Sequence, residues 1–237
     1  MASGGNTLHS LSIEKFPIGV RLGVFTSHIT ITDTVISNLN LAEIARKGIH
    51  LQTTLNPEQA TYNRWVNTWF IGNTIEAKRG GINVAVVGLG DGADTADDLI
   101  IAENSIRLTG ESGLDLFGIN LSAGNFLLSR QTKLKDIVIA YNALEGNLQA
   151  GFRVTAGASG NTVDGVRIFG NQVRLQPGRE EFGGKRDGLQ ILTGDGATDD
   201  VNPRRRGTDA LRAINCRARV LTRRGIASTI LVSSVSC

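Results

Sequence analysis

The sequence predicts an all-β chain wound as a right-handed parallel β-helix of about seven coils, and three observations predict it. A block of glycine, apolar residue, any residue, apolar residue recurs along the chain. A second block, apolar, any, any, Asn, any, apolar, recurs between those glycines, and no helical periodicity fills the gaps.

The glycine-led block stands at Gly19-Val20-Arg21-Leu22, Gly48-Ile49-His50-Leu51, Gly81-Ile82-Asn83-Val84, Gly113-Leu114-Asp115-Leu116, Gly151-Phe152-Arg153-Val154 and Gly188-Leu189-Gln190-Ile191, with Gly225-Ile226-Ala227 a weaker seventh. In the fourth block Gly118-Ile119-Asn120-Leu121 is a rival register. Apolar pairs spaced by two are strand periodicity, and the segments are short and rich in Val, Ile and Thr. Each block is therefore a strand. The Asn block spans Phe70 to Ile75 around Asn73, Ile101 to Ile106 around Asn104, Ile139 to Leu144 around Asn142 and Ile168 to Val173 around Asn171, while Ile31 to Ile36 carries Thr34 instead. It reads as strand, bend, strand, because Asn tolerates a left-handed backbone and bonds its own chain. Asn side chains repeated in register are expected to satisfy one another as an internal ladder. Gly5-Asn6-Thr7-Leu8 echoes Gly160-Asn161-Thr162-Val163, so the first coil starts near residue 4. All-strand units of this length bury their inward faces by stacking in parallel, and the crossover rule makes the solenoid right-handed. The whole of 1–237 is one domain on this reading.

Composition narrows the classes. Of 237 residues 29 are Gly and only 4 are Pro, which suits many tight turns and excludes collagen-like and Pro-rich chains. Two cysteines, Cys216 and Cys237, build neither a disulfide framework nor a four-cysteine zinc site. No apolar run is long enough to span a membrane, and Met1 to Ser12 lacks the order of a secretory signal. A net charge of +3 is too mild to imply nucleic acid.

These recurrent Asn and Gly-Ile-x-Leu blocks resemble those of the pectin lyase-like superfamily of right-handed parallel β-helices, over nearly the whole chain. The resemblance implies an extracellular or cell-surface protein whose glycine-led strands floor a groove for an anionic polysaccharide. The polygalacturonase segments of that superfamily are missing here: the Asp-Asp pairs Asp97-Asp98 and Asp199-Asp200 fall in loops. The lyase segment before a catalytic Arg is missing as well, although Arg153 on the outer face matches such a base in kind.

If the apolar residues of each glycine-led strand point inward, the residues between them point out to solvent. The outward column is Arg21, His50, Asn83, Asp115, Arg153, Gln190 and Ala227, with neighbours about 4.8 Å apart. Such a stripe suits a polymer lying along the axis, and it equally describes the solvated face of half-buried strands. Arg153, His50 and Asp115 are its candidates for acid–base work. Basic pairs precede four strands: Arg46-Lys47, Lys78-Arg79, Lys185-Arg186 and Arg223-Arg224. They read either as an anion-binding row or as gatekeepers that keep β edges apart. Two near-identical acidic loops, with Asp91 and Asp94 in one and Asp195 in the other, read as turns or as oxygen ligands for Ca²⁺, though neither fits a known calcium motif.

Two functions follow, recognition or processing of an anionic polysaccharide, and a non-catalytic structural or adhesive solenoid. The sequence shows no capping segment at either end, and Ile214-Asn215-Cys216-Arg217 departs from the corner pattern. The chain is therefore expected to be part of a longer protein and to associate end to end through open strand edges.

Overall fold

The computed structural model describes residues 5–16, 18–23, 28–37, 47–52, 64–86, 95–110, 116–124, 132–157, 161–175, 187–194, 211–212, 217–222 and 230–236. All regular structure among them is strand. Sheet A stacks β1 (Asn6–His9), β4 (Ile29–Thr32), β7 (Arg64–Ile71), β10 (Thr95–Ala102), β13 (Lys133–Ala140), β16 (Thr162–Asp164) and β20 (Leu211–Arg212), with β17 (Arg167–Phe169) also on β13. Sheet B stacks β2 (Ser12–Glu14), β5 (Val35–Ser37), β8 (Thr74–Ala77), β11 (Ser105–Leu108), β14 (Ala143–Gly146), β18 (Asn171–Leu175), β22 (Ile230–Ser236) and β21 (Arg217–Thr222). Sheet C stacks β3 (Ile18–Leu22), β6 (Lys47–Gln52), β9 (Gly80–Val86), β12 (Phe117–Ala123), β15 (Ala150–Gly157) and β19 (Asp187–Gly194). The chain visits A, B and C in turn, and strands β1 to β20 pair in parallel with their counterparts one coil away. This is a parallel β-helix.

The core is three apolar columns held in register. Ile31, Phe70, Ile101, Ile139 and Ile168 line sheet A. Ile36, Ile75, Ile106, Leu144 and Val173 line sheet B. Val20, Ile49, Ile82, Ile119, Phe152 and Leu189 line sheet C. All but Val20 and Leu189 are almost wholly buried, each side chain contributing about 1.5–3 kcal/mol. The fourth glycine-led strand uses the Gly118 register, so Ile119 takes the place expected of Leu114, which lies outside the described residues.

Between sheets A and B the corner asparagines form the expected ladder. Asn73, Asn104, Asn142 and Asn171 are buried, and each Nδ2 donates to the Oδ1 of the next, at 2.9, 2.9 and 2.8 Å. The same amides donate back to the carbonyls of Ile31, Phe70, Ile101 and Ile139. The left-handed residue of the corner is not the Asn. It is the residue before it: Asp33, Gly72, Glu103, Tyr141 and Gly170, with φ between 49 and 67°. The Asn keeps an ordinary backbone, which leaves its side chain aimed along the stack.

A second left-handed column bends sheet A at His28 just ahead of β4, at Asn67, Asp98 and Asp136 within β7, β10 and β13, and at Gly165 between β16 and β17, with φ of 49 to 65°. Asp97 and Asp98 therefore sit in strand β10 and not in a loop. His, Asn, Asp and Gly are the types that tolerate this conformation at least cost.

The glycine column between sheets B and C is imposed by close approach. A Cβ on Gly81 would lie 2.5 Å from the Gly118 carbonyl oxygen, one on Gly118 2.7 Å from that of Gly151, and one on Gly151 2.8 Å from that of Gly188. No side chain fits there.

At the far end the stacking changes sense. β22 lies antiparallel to β18, and β21 antiparallel to β22, where a further parallel coil is expected. Asn171 ends the ladder by donating also to Phe169 O, two residues back, in place of a further Asn. Among the described residues no further Asn continues the ladder beyond Asn171. Ile226 and Ala227 of the seventh block, Ile214 to Cys216 and Cys237 lie outside the described residues.

Candidate ligand-binding face

Backbone register places Arg21, His50, Asn83, Asn120, Arg153 and Gln190 side by side along sheet C. The alternation expected from the sequence is present, since Ile82 and Val84 are core and Asn83 lies between them on the opposite face. Asn120 stands where Asp115 was expected, and Asp115 lies outside the described residues. The rival glycine register carried that signal.

The expectation that this column is open to solvent is corrected. His50 is 5% exposed and Asn83 6%; Asn120, Arg153 and Gln190 are half-buried, and only Arg21 is exposed. Strand alternation fixes which face a side chain takes and is silent on what covers that face.

The buried part is wired internally. Asn120 Nδ2 donates to Asn83 Oδ1 at 2.6 Å, and Asn83 Nδ2 lies 2.8 Å from His50 Nδ1. An amide nitrogen only donates, so Nδ1 accepts and the His50 proton sits on Nε2. Further along, the Arg153 guanidinium lies over the Phe117 ring, 4.6 Å from its centroid, an attraction between cation and π-face. Ser122 and Thr155 form the adjacent outward pair. Ser122 Oγ, Thr155 Oγ1 and Asn120 Oδ1 are buried with no hydrogen-bonding partner among the described residues. Sequence reasoning did not single out Ser122, Thr155 or Phe117.

The three sheets differ in outward charge. On sheet B the signs alternate through Glu76, Arg107, Glu145 and Arg174. On sheet A, Asp97, Lys135 and Asp164 alternate in the same way. Lys135 Nζ also meets Asp136 at 2.8 Å, and Asp136 first, then Asp97, raise the Lys135 pKa above its ordinary value. The described outward positions of sheet C carry Arg21 and Arg153 and no carboxylate.

The basic pairs do not stack on one another where they are described. Lys47 pairs in register with Gly80, followed by Phe117, Ala150 and Asp187, so like charges are kept apart. Lys78 and Arg79 are half-buried just ahead of β9. Arg46, Lys185, Arg186, Arg223 and Arg224 lie outside the described residues, as do Asp91, Asp94 and Asp195 of the suggested Ca²⁺ loops. Among the described residues no cluster of three His, Cys, Asp or Glu side chains is placed to hold a metal ion. No helix is long and apolar enough to cross a membrane.

Comparison of the chain with protein-family models, with curated proteins and with solved structures returned no match.

Proposed function

We propose that this β-helix recognises an anionic polysaccharide laid along the outer face of sheet C, in the manner of an extracellular, pectin lyase-like protein. One observation carries the reading: on two outward faces a row of acids and bases alternates from coil to coil, whereas the described outward positions of the third carry arginine, amides and hydroxyls without an acid. Arg21 and Arg153 stand four coils apart, about 19 Å along the stack, a spacing that offers two cationic contacts to one extended polymer. Between them the buried His50 and Asn83 hold the strands in place, and the half-buried Asn120 and Gln190 border the same face. Lys78 and Arg79 add positive charge at one border.

Titration with polygalacturonate tests this. Affinity should fall as salt rises, since exposed charges are screened beyond ~8 Å at physiological ionic strength. Arg21→Ala together with Arg153→Ala should weaken binding about tenfold, or ~1.4 kcal/mol. Equal affinity for a neutral glucan, or no effect of the double change, would overturn the reading.

The structural solenoid is the second reading, and the alternating charge rows of sheets A and B favour it, because opposite signs on successive coils suit the stack without reference to a ligand. A wild-type chain that binds no polymer yet resists heat and protease would select it.

A further inference from the structure

Sheet B presents a charged row whose order of signs is self-complementary. Glu76, Arg107, Glu145 and Arg174 occupy consecutive strands in register and project outward. Within the row the ion pairs are loose: Arg107 to Glu76 at 3.8 Å, Arg107 to Glu145 at 3.9 Å and Arg174 to Glu145 at 3.8 Å. Those separations exceed hydrogen-bonding range, so the guanidinium N–H groups and carboxylate oxygens keep their directional bonding capacity for another molecule. Beside the row runs a second outward column, Val35, Thr74, Ser105, Ala143 and Gln172, all exposed and mostly short. Among these five only Gln172 is as long as the charged side chains, which leaves a second surface room to approach the row.

We propose that this face pairs two copies of the chain side by side, with their stacking axes antiparallel. The order of signs along the row is minus, plus, minus, plus. A two-fold axis lying along the strands, between β11 and β14, reverses that order in the partner. Glu76 then faces the partner's Arg174 and Arg107 faces the partner's Glu145, and every acid meets a base. A two-fold axis along the stack would set each residue against its own copy and oppose like charges throughout. The row therefore selects the orientation as well as the partner. This contact is lateral and differs from the end-to-end association expected from the sequence.

Sedimentation equilibrium tests it with two charge-inverted variants, Glu76→Arg with Glu145→Arg, and Arg107→Glu with Arg174→Glu. The wild type should dimerise, with a dissociation constant that rises at least tenfold between low and high salt. Each variant alone should be monomeric, and an equimolar mixture should recover a one-to-one dimer, since an all-basic row meets an all-acidic one. Circular dichroism confirms that each variant is folded. If inversion unfolds either, the milder Glu76→Gln with Glu145→Gln should remain folded and lose the dimer. A wild type that stays monomeric at every concentration and salt, or variants that dimerise alone as well as the wild type does, would overturn the proposal.

Discussion

Asn104 Oδ1 accepts two hydrogen bonds from one residue of the preceding coil, the backbone N–H of Asn73 at 3.0 Å and its side-chain N–H at 2.9 Å. A single oxygen thus satisfies two buried donors, and it does so where the chain leaves one sheet for the next. Asn142 Oδ1 does the same for Asn104, and Asn171 Oδ1 for Asn142. Replacing Asn104 by Ala strands both donors of Asn73 in the interior, at about 1–3 kcal/mol each. Urea denaturation should show a loss of about 3 kcal/mol. Replacing the exposed Ser105 next to it by Ala should change stability by less than about 0.5 kcal/mol.

Glycine substitutions should divide sharply by position. Gly81→Ala drives a methyl group against the Gly118 carbonyl and the Ile106 side chain, and should cost about 3 kcal/mol or prevent folding. Gly23 has open space where a Cβ would go, so Gly23→Ala should be tolerated within about 0.5 kcal/mol. Thermal midpoints of the two variants decide it.

Glu103 holds a left-handed backbone, φ 58°, at a place where the preceding coil uses Gly72 and the coil two further on uses Gly170. Glu103→Gly removes a strain of about 1 kcal/mol that a side chain pays in this region. The variant should gain stability of that order, whereas Glu103→Val should lose more than that. Chemical denaturation of both reads out the sign.

Lys135 supplies the pH-dependent element of sheet A. Its raised pKa means that the folded state holds the proton more tightly than the unfolded chain does. The resulting stability is complete below the ordinary lysine value of 10.5 and is lost as pH climbs through the higher folded value. The wild type should therefore melt slightly above Lys135→Met at neutral pH, and the two midpoints should converge in strongly alkaline buffer. Because the side chain is exposed, the gap should be small and should shrink with added salt.

The repeat was legible in the residues because each block reports a physical necessity. Glycine recurs where carbonyls of the next coil leave no room, and Ile49, Ile82 and Phe152 recur where a column must be filled. The corner was legible in position and misread in phase. Asn is the residue type most at home in a left-handed turn, yet Tyr141 and Glu103 take that conformation while the Asn beside them serves the ladder. Propensity named the residue, and long-range hydrogen bonding decided its use. The choice between Gly113 and Gly118 turned on which glycine lies over Gly81, a contact between coils that no local pattern encodes. Burial of His50 and Asn83 was illegible for a similar reason: alternation orients a side chain and says nothing of what lies across from it.

The ladder of corner amides also gives the stack a chemical arrow. Every amide bond along it points the same way, from Asn73 towards Asn171, so each coil offers one neighbour a donor and the other an acceptor through the same atoms. Coils of this kind are interchangeable links. Duplicating the stretch from Asn73 to Glu103 would insert a coil whose amide finds an acceptor ahead and a donor behind, and excising it would rejoin like to like. Length in such a molecule is a free variable, open to gene-segment duplication or to design.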